Sequence, residues 1–408
     1  MGSERRPTMT TCGSASGLWN HPIGAELVRG AAELERTDRG WLSHRLPAAA
    51  RAQCDDPRLA AAEAQPSGVR LVFRTCSTVV EVDLLRTRSV LVGVPDRPDG
   101  TVDLRVDGNL VGSATTSGGD VVRTDLVSGS TELQRGRVGT VRFTGLPSRE
   151  KLIEIWLPHY ERIELVALRT DGALVPVPAG ERRVWLHHGS SISQGSNAAS
   201  PSTPWPALAA GLGGVELVNL GLAGSAMLDP FTARAMRDTA ADLVSVGIGI
   251  NLVNADIMRL RAFGPAVHGF LDTVRDGHPD TPLIVIGPIH CPIHENTPGP
   301  GAFDTAALRA GKVRFVATGD PADAARGSLT LSVVRDRLAE IVENRKAHDP
   351  HLHYIDGRDL YGADDSAEHP LPDNLHPDAA THELIGARFA RLAFADDLGN
   401  GDSGWFAR

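Results

Sequence analysis

The 408-residue chain is poor in cysteine, in long apolar runs and in positive charge. Its four cysteines are widely spaced and form no Cys-x-x-Cys pair, so we expect reduced thiols rather than a disulfide framework. No run approaches the roughly 18 consecutive apolar residues that a membrane-spanning helix needs. The formal net charge of −9 argues against a surface that binds nucleic acid or anionic lipid. These absences favour a globular protein that acts on a small molecule, without membrane or nucleic-acid partners.

The sequence also lacks the pattern of a secretory signal and the glycine-rich turns of nucleotide-binding proteins. The basic N-terminal stretch has no apolar segment behind it, so it lacks the pattern of a secretory signal, and we expect a cytoplasmic protein. No predicted strand is followed by a Gly-x-x-x-x-Gly-Lys-[Ser/Thr] or Gly-x-Gly-x-x-Gly turn, which leaves nucleotide binding without support. We therefore predict no cofactor, and the oligomeric state is left open.

Residues 68–179 alternate between short apolar strands and turn clusters, with a turn about every ten residues. VRLVFRT, STVVEVDLL and LIEIWLP are strand-like segments of this region, and PDG, SGGD and RTDG are turns. This rhythm is typical of an antiparallel β-sandwich or jelly roll. Because the chain exceeds the size that one hydrophobic core supports, we predict an all-β domain over residues 1–180 and a second domain over residues 181–408.

From Val184 the pattern changes to apolar runs that alternate with helical segments. Five runs are continuously apolar, as expected for strands buried on both faces of a parallel sheet: VWLHHG, VELVNLG, DLVSVGIG, PLIVIGP and LHYIDG. Helical periodicity follows them in residues 205–212, 230–239, 255–276, 328–348 and 378–394. The pattern predicts a three-layer α/β/α fold with a doubly wound, five-stranded parallel sheet. Its ligand site should lie at the carboxyl ends of the strands.

Polar residues and a glycine stand at those carboxyl ends. The first run leads into Ser191, the second ends in a turn that contains Gly224, and the third reaches Asn251. After the fifth run, Asp373 and His376 stand three residues apart. Because the carboxyl ends of parallel strands meet at one edge of the sheet, we expect these residues to converge.

This set of residue types fits acyl transfer through a serine nucleophile. A serine hydroxyl attacks an ester effectively only when a neighbouring imidazole takes its proton. Asp373 can hold the ring of His376 so that Nε2 faces Ser191, which predicts a triad in the order Ser, Asp, His. The backbone N–H groups of Ser191 and Gly224, with the side-chain amide of Asn251, would form the oxyanion hole.

The same four blocks resemble the SGNH or GDSL-type hydrolases. The nucleophile turn, glycine, asparagine and Asp-x-x-His pair of that family correspond here to GSSIS, NLGLAG, GIN and DNLHPD, within residues 184–395. The resemblance implies a flavodoxin-like catalytic fold and an acyl-serine intermediate. With its strand-rich first half, the chain is most similar to the two-domain branch that includes carbohydrate esterases.

Two positions depart from the pattern of that family. Ser190 stands where the family has an acidic residue before the nucleophile, and Leu252 replaces the aspartate after Asn251. Neither change removes a triad or oxyanion group. Both alter neighbouring hydrogen bonds, so the substrate does not follow from the resemblance.

Several nearby residues have a second interpretation. Ser190 and Ser193 fit helix capping better than nucleophilic attack, and Asn254 is a rival of Asn251 for the oxyanion role. Asp373 could instead be a helix cap beside a Ser–His dyad. We predict that the substrate pocket is lined by Ser190, Trp205, His290 and His294.

The segment IHCPIHE, residues 289–295, has spacing that suggests metal ligands. It opens a Pro- and Gly-rich stretch, residues 290–327, that follows the fourth strand and should lie beside the site. A zinc site needs three or four ligands with supporting hydrogen bonds. We therefore favour pocket lining here and predict no metal.

Together these patterns predict a serine esterase that removes a small acyl group from a sugar or a natural-product alcohol. An acyltransferase would use the same acyl-enzyme, with an alcohol in place of water. A non-catalytic glycan-binding protein is the alternative from another functional class, but no triad or oxyanion residue is missing from the sequence.

Overall fold

The computed structural model describes residues 17–125 and 127–394. Its N-terminal half is built from strands with two short helices. The strands are β1 (Trp19–His21), β2 (Val28–Arg29), β3 (Glu33–Arg36), β4 (Trp41–His44), β5 (Arg70–Thr75), β6 (Val80–Leu91), β7 (Thr101–Val106), β8 (Asn109–Thr115), β9 (Asp120–Thr124), β10 (Thr131–Gln134), β11 (Gly139–Phe143), β12 (Lys151–Trp156), β13 (Arg162–Thr170) and β14 (Leu174–Pro176). The helices are α1 (Ala48–Arg51) and α2 (Pro57–Glu63).

These strands form two sheets that share one core. The first sheet follows the order β10-β9-β6-β13-β4-β3, with β1 added at β13 and β11 at β6. The second follows β14-β5-β12-β7-β8, with β2 added at β5. Alternating residues of each sheet face inward, so that Val82 and Val141 of the first pack in one cluster with Leu104 and Ile155 of the second. The prediction of a β-sandwich is confirmed, but it is not antiparallel throughout, because β6 and β9 pair in parallel, and it is not all-β, because it includes α1 and α2.

The second half alternates strands and helices. Its parallel strands are β15 (Val184–Gly189), β16 (Glu216–Gly221), β17 (Leu243–Gly247), β18 (Leu283–Ile286) and β21 (Leu352–Ile355), and β19 (Gly301–Phe303) with β20 (Phe315–Ala317) forms a separate hairpin. The helices are α3 (Ser191–Gln194), α4 (Trp205–Leu212), α5 (Pro230–Asp238), α6 (Ile250–Ala255), α7 (Leu260–Gly277), α8 (Thr305–Arg309), α9 (Leu331–Arg345), α10 (Gly357–Leu360), α11 (Ala363–Glu368) and α12 (Ala379–Ala393), with a 3₁₀ helix at Pro321–Arg326.

The parallel sheet has the order β16-β15-β17-β18-β21, which confirms the predicted five-stranded sheet in the described residues. The central strand β17 is buried up to its last residue, and its neighbour β18 is buried along its whole length, as their apolar sequences predict. The single helix predicted over residues 255–276 is wrong in detail. Asp256 adopts a left-handed conformation that ends α6, and α7 begins only at Leu260.

The sandwich and the α/β half pack against each other. Trp156 of β12 belongs to the hydrophobic core of the α/β half. The buried carboxylate of Asp103 on β7 accepts hydrogen bonds from the hydroxyl of Ser200 at 2.5 Å and from the hydroxyl of Ser202 at 2.6 Å. The predicted domain boundary after residue 180 lies in the connection between β14 and β15, and the division into two domains stays a prediction.

Two features of the structure bear on the predicted cellular location: the helices and the cysteines. No helix in the described residues is both long and apolar enough to cross a membrane. Cys76 is disulfide-bonded, so the prediction of reduced thiols is wrong for this residue, because sequence spacing does not show which cysteines meet in the fold. Cys54 and Cys291 are free, and Cys12 lies outside the described residues. A cytoplasmic location stays a prediction that the cysteines do not support.

Asp229, just before α5, predicts a pH-dependent stability. Its side chain makes no capping hydrogen bond, and burial, aided by the charge of Asp56, raises its pKa to about 6. Because the folded-state pKa is raised, the stability from the neutral form is present at low pH and is lost as pH rises through about 6. For a fully buried group, this pKa shift would lower the free energy of unfolding by about 3 kcal/mol once the carboxyl group ionises. Because Asp229 is partly exposed, the expected loss is about 1 kcal/mol.

We therefore expect Asp229→Asn to raise the free energy of unfolding at pH 7.5 by about 1 kcal/mol, with no gain at pH 4. Urea unfolding at both pH values measures this. Asp238→Asn, at the exposed end of the same helix, is the control and should show no gain at pH 7.5. Equal gains at both pH values would contradict the prediction.

Candidate active site

The turn after β15 presents Ser191 at the start of α3. Ser190 is the N-cap of this helix, and its hydroxyl accepts a hydrogen bond from the backbone N–H of Ile192 at 3.3 Å. The helix lies against the end of β16, where a Cβ added at Gly221 would come within 2.4 Å of the backbone nitrogen of Gln194. A glycine is therefore required there for the nucleophile turn to approach its neighbouring strand.

Ser191, His376 and Asp373 form one continuous hydrogen-bonded chain. The hydroxyl oxygen of Ser191 lies 2.9 Å from Nε2 of His376, and Nδ1 of His376 lies 2.8 Å from Oδ2 of Asp373. Because an ionised carboxylate only accepts, Nδ1 carries the proton and Nε2 is free to accept from Ser191. All three residues are buried although 185 residues separate the serine from the histidine.

The turn before α12 holds the carboxylate of Asp373 in place. Its Oδ1 accepts the backbone N–H groups of Leu375 at 2.9 Å and His376 at 2.7 Å, and the amide of Asn197 donates to Oδ2 at 3.4 Å. Burial tends to raise the pKa of Asp373, but these hydrogen bonds and the His376 ring outweigh it and hold the pKa below its usual value. The carboxylate is therefore ionised at neutral pH and suited to stabilise a protonated imidazole.

The three predicted oxyanion donors lie on three different segments of the α/β half. The N–H of Ser191 is the first of α3 and has no intrahelical acceptor. Gly224 lies in the turn after β16 with a φ of +69°, which favours glycine. Asn251, at the start of α6, accepts the N–H of Ala226 on its Oδ1 at 3.1 Å, so the amide is oriented with Nδ2 as its free end. In residues 17–125 and 127–394, these three N–H donors make no hydrogen bond.

Beneath the nucleophile turn lies a neutral hydrogen-bonded chain. One ring nitrogen of His187 lies 2.7 Å from the hydroxyl of Ser193 and the other lies 2.7 Å from the hydroxyl of Ser245. Burial lowers the pKa of His187 to about 3, so the ring is uncharged at neutral pH. This histidine packs under α3, as expected for a supporting group rather than a proton acceptor for Ser191.

Ser190 and Trp205, two of the predicted substrate-binding residues, line a small apolar cavity of about 50 Å³. Neither Ser191 nor His376 lines that cavity. The Trp205 ring is buried against the rings of His187 and Phe389, at centroid distances of 4.8 and 5.1 Å. These contacts are those of a core residue, and a substrate contact stays a prediction.

The two other predicted pocket residues belong to the loop after β18. His294 is fully buried, and its ring nitrogens face the carbonyl of Thr297 at 3.1 Å and Oδ1 of Asn254 at 3.2 Å. His290 lies 3.4 Å from Glu295, which pairs with Arg335. In the described residues no group of three or more His, Cys, Asp or Glu side chains is arranged to hold a metal ion. Substrate contacts of the two histidines stay a prediction that their present partners do not favour.

The segment after β18 also places Phe315 beside His376, and sequence patterns did not single out this residue. The ring of Phe315 on β20 packs edge-on against His376 at a centroid distance of 5.6 Å, with Phe303 stacked behind it at 5.0 Å. The backbone N–H of Phe315 donates to the carbonyl of Asp373 at 2.9 Å. Its only sequence signal was its place within the stretch 290–327, which was expected beside the site.

Comparisons with known proteins agree with this geometry. Residues 188–384 match the family model of the GDSL-like lipases and acylhydrolases, and residues 27–166 match that of the SsfX3 N-terminal domain. No curated protein sequence gives a significant match.

Three solved structures illustrate the similarity. The salicylyl-acyltransferase SsfX3 from a tetracycline biosynthetic pathway is 27% identical, with 94% of this chain and 98% of that chain covered and a TM-score of 0.74. A GDSL-like lipase from Bacteroides ovatus is 21% identical, with coverage of 94% and 98% and a TM-score of 0.65. A family two carbohydrate esterase from Cellvibrio japonicus is 14% identical, with coverage of 94% and 100% and a TM-score of 0.50. The last two similarities concern the fold alone.

Proposed function

Since this chain belongs to the two-domain SGNH/GDSL-type hydrolases, we propose that it cleaves a carboxylic ester through an acyl intermediate on Ser191. The observation that carries the proposal is the hydrogen-bonded chain from Ser191 through His376 to Asp373, with links of 2.9 and 2.8 Å. A neutral imidazole that can accept the serine proton is what a serine nucleophile needs.

The reaction follows from these contacts in two halves. As the hydroxyl oxygen of Ser191 attacks the ester carbonyl, its proton passes to Nε2 of His376, and Asp373 stabilises the charged ring. The bond to the alcohol breaks when His376 returns the proton to the departing oxygen, which leaves the acyl group on Ser191. A water molecule then attacks the acyl group and gives a proton to His376, the bond to the Ser191 oxygen breaks as His376 returns that proton to it, and the carboxylic acid departs.

The unpartnered N–H groups of Ser191 and Gly224 and Nδ2 of Asn251 support this proposal. A tetrahedral intermediate carries a negative oxygen, and fixed donors that need no rearrangement stabilise it most effectively. Asn251 is held through its Oδ1, so its orientation is set before the substrate arrives.

For the alcohol part of the substrate we propose a cavity between the sandwich and the nucleophile turn. It has a volume of about 260 Å³, and its lining includes Gln65, Arg97 and Tyr160 from the sandwich and Ser196 and Ala223 from the α/β half. Ala223 directly precedes Gly224, so the cavity adjoins the proposed oxyanion donors. Its lining mixes apolar side chains with polar groups such as Gln65, Arg97 and Tyr160, which suits a sugar or natural-product alcohol that carries a small acyl group.

An acyltransferase is the second candidate, because the 27% identity to an acyltransferase covers almost the whole chain. The two activities differ only in whether water or an alcohol attacks the acyl-enzyme. Incubation with p-nitrophenyl acetate and a panel of alcohols separates them by the ratio of free acid to new ester. We expect p-nitrophenol release with free acid as the main product in the absence of an acceptor.

New ester in excess of free acid, with any alcohol of the panel, would assign the transferase activity instead. No p-nitrophenol release together with no labelling of Ser191 by a fluorophosphonate would contradict the proposed function. The glycan-binding alternative would then account best for the sandwich.

A further inference from the structure

Gln194 lies where the nucleophile helix, the loop after β16 and the sandwich meet. It stands three residues after Ser191, at the end of α3, and its side chain is buried. Both the oxygen and the nitrogen of its side-chain amide form hydrogen bonds. Oε1 accepts the backbone N–H of Ala223 at 2.9 Å and a guanidinium N–H of Arg45 at 3.3 Å. Nε2 donates to the backbone carbonyl of His159 at 3.3 Å and to Oε1 of Gln65.

These contacts connect two of the proposed oxyanion donors. Ser191 contributes its N–H from the first position of α3, and Gln194 is on the same short helix. Gly224 contributes the N–H that follows Ala223 along the chain. The hydrogen bond from Ala223 to Gln194 therefore fixes the loop that carries the second donor to the helix that carries the first.

Arg45 extends this connection into the sandwich. Its buried guanidinium also donates to the carbonyls of Asn219 at 3.0 Å and Gly221 at 2.6 Å, on the strand that leads into the same loop. Burial lowers the pKa of Arg45 to about 10, so the group is still charged at neutral pH. A charged donor makes these hydrogen bonds stronger than neutral ones.

We propose that Gln194 is a positioning residue that sets the spacing of the Ser191 and Gly224 oxyanion donors and transmits the packing of the sandwich to them. This inference rests on the proposed acyl-enzyme function. Gln194 makes no hydrogen bond to the reacting serine oxygen or to His376, so its effect on the oxyanion donors is indirect, although it also lines the cavity proposed for the alcohol. Because the stabilisation of an oxyanion depends steeply on donor placement, a loop that shifts by about 1 Å is expected to reduce the rate by about 10- to 100-fold.

Gln194→Met tests this, since it keeps the length of the side chain and removes all four hydrogen bonds. The kcat for p-nitrophenyl acetate is measured per reactive serine, with the number of such serines counted by titration with a fluorophosphonate. We expect kcat per titrated serine to fall about 10- to 100-fold with KM changed less than about threefold. Affinity for a boronic acid that forms a tetrahedral adduct on Ser191 should fall by a similar factor.

Two further variants provide an intermediate case and a control. Gln65→Met removes a sandwich partner of the Gln194 amide and leaves the bond to Ala223, so a smaller loss of kcat, below about 10-fold, is expected. Gln134→Met makes the same substitution on the exposed strand β10 and should leave every value unchanged.

The possible outcomes are distinct. If Gln194→Met only lowers the number of titrated serines and keeps kcat per serine, the residue serves stability alone and the inference is wrong. The inference is also wrong if kcat falls but affinity for the boronic acid does not. A wild-type protein that neither turns over the ester nor reacts with the fluorophosphonate would instead overturn the proposed function, and the inference with it.

Discussion

Replacing Ser191 with alanine is expected to reduce ester turnover by at least about 10⁴-fold, because loss of a serine nucleophile typically costs about 10⁶-fold in kcat. The variant keeps His376 and the oxyanion donors but has no oxygen on which an acyl-enzyme can form. Steady-state release of p-nitrophenol from acetate, butyrate and octanoate esters measures the effect. The same series shows which acyl length the site accepts.

Ser193→Ala is the matched control in the same turn. Ser193 contacts His187 rather than His376, so its variant should stay within about 10-fold of the wild type. A thermal unfolding curve for each variant separates lost chemistry from lost fold. Equal activity of the wild type and Ser191→Ala, both well above background, would assign the nucleophile to another group.

Replacing Asn251 with alanine is expected to lower kcat by about 100- to 1000-fold, the usual effect of removing one oxyanion donor. Asn251→Asp is the sharper variant. Its carboxylate can still accept the N–H of Ala226, as Oδ1 does now at 3.1 Å, but it offers no donor and brings a negative charge. We expect a loss at least as large as that of the alanine variant, measured as kcat per titrated serine.

Asn254→Ala is the control, because Asn254 is the other asparagine of the same segment and its Oδ1 contacts His294 at 3.2 Å. Its kcat should stay within about 10-fold of the wild type. The oxyanion role would belong to Asn254 if this variant lost activity while Asn251→Ala did not.

Much of the fold is readable from local sequence patterns. The helix predicted over residues 205–212 has those same bounds as α4, and the five continuous apolar runs all became strands of one parallel sheet. Periodicity reports burial on one face or on both, which is a local property of the chain. It failed at the start of the helix predicted over residues 255–276, because left-handed Asp256 ends α6 and α7 begins only at Leu260.

The meeting of Ser191 with the Asp373–His376 pair could also be expected. All of them follow strands of a parallel sheet, and such strands end at the same edge. The spacing of Asp373 and His376 brings their side chains together within one turn, at 2.8 Å. The chemical types at those positions then indicate the reaction.

Only the tertiary structure decided the partners of the other residues near the site. Gln194 meets Ala223, 29 residues away, and Arg45, 149 residues away, because the sandwich packs on the nucleophile helix. Phe315 meets His376 because the hairpin folds back over the turn before α12. Trp205 became a core residue although it follows the nucleophile closely in sequence.

The sequence by itself therefore determined the order of the elements, the edge of the sheet where the site lies and the residue types available for acyl transfer. The tertiary structure decided which side chains hold the loop of Ala223, which ones are buried as packing and where a cavity opens between the sandwich and that loop. The physical reason is that periodicity and spacing reflect interactions within one strand or turn. The supporting hydrogen bonds, in contrast, join segments far apart in the chain and exist only once the two halves have packed together.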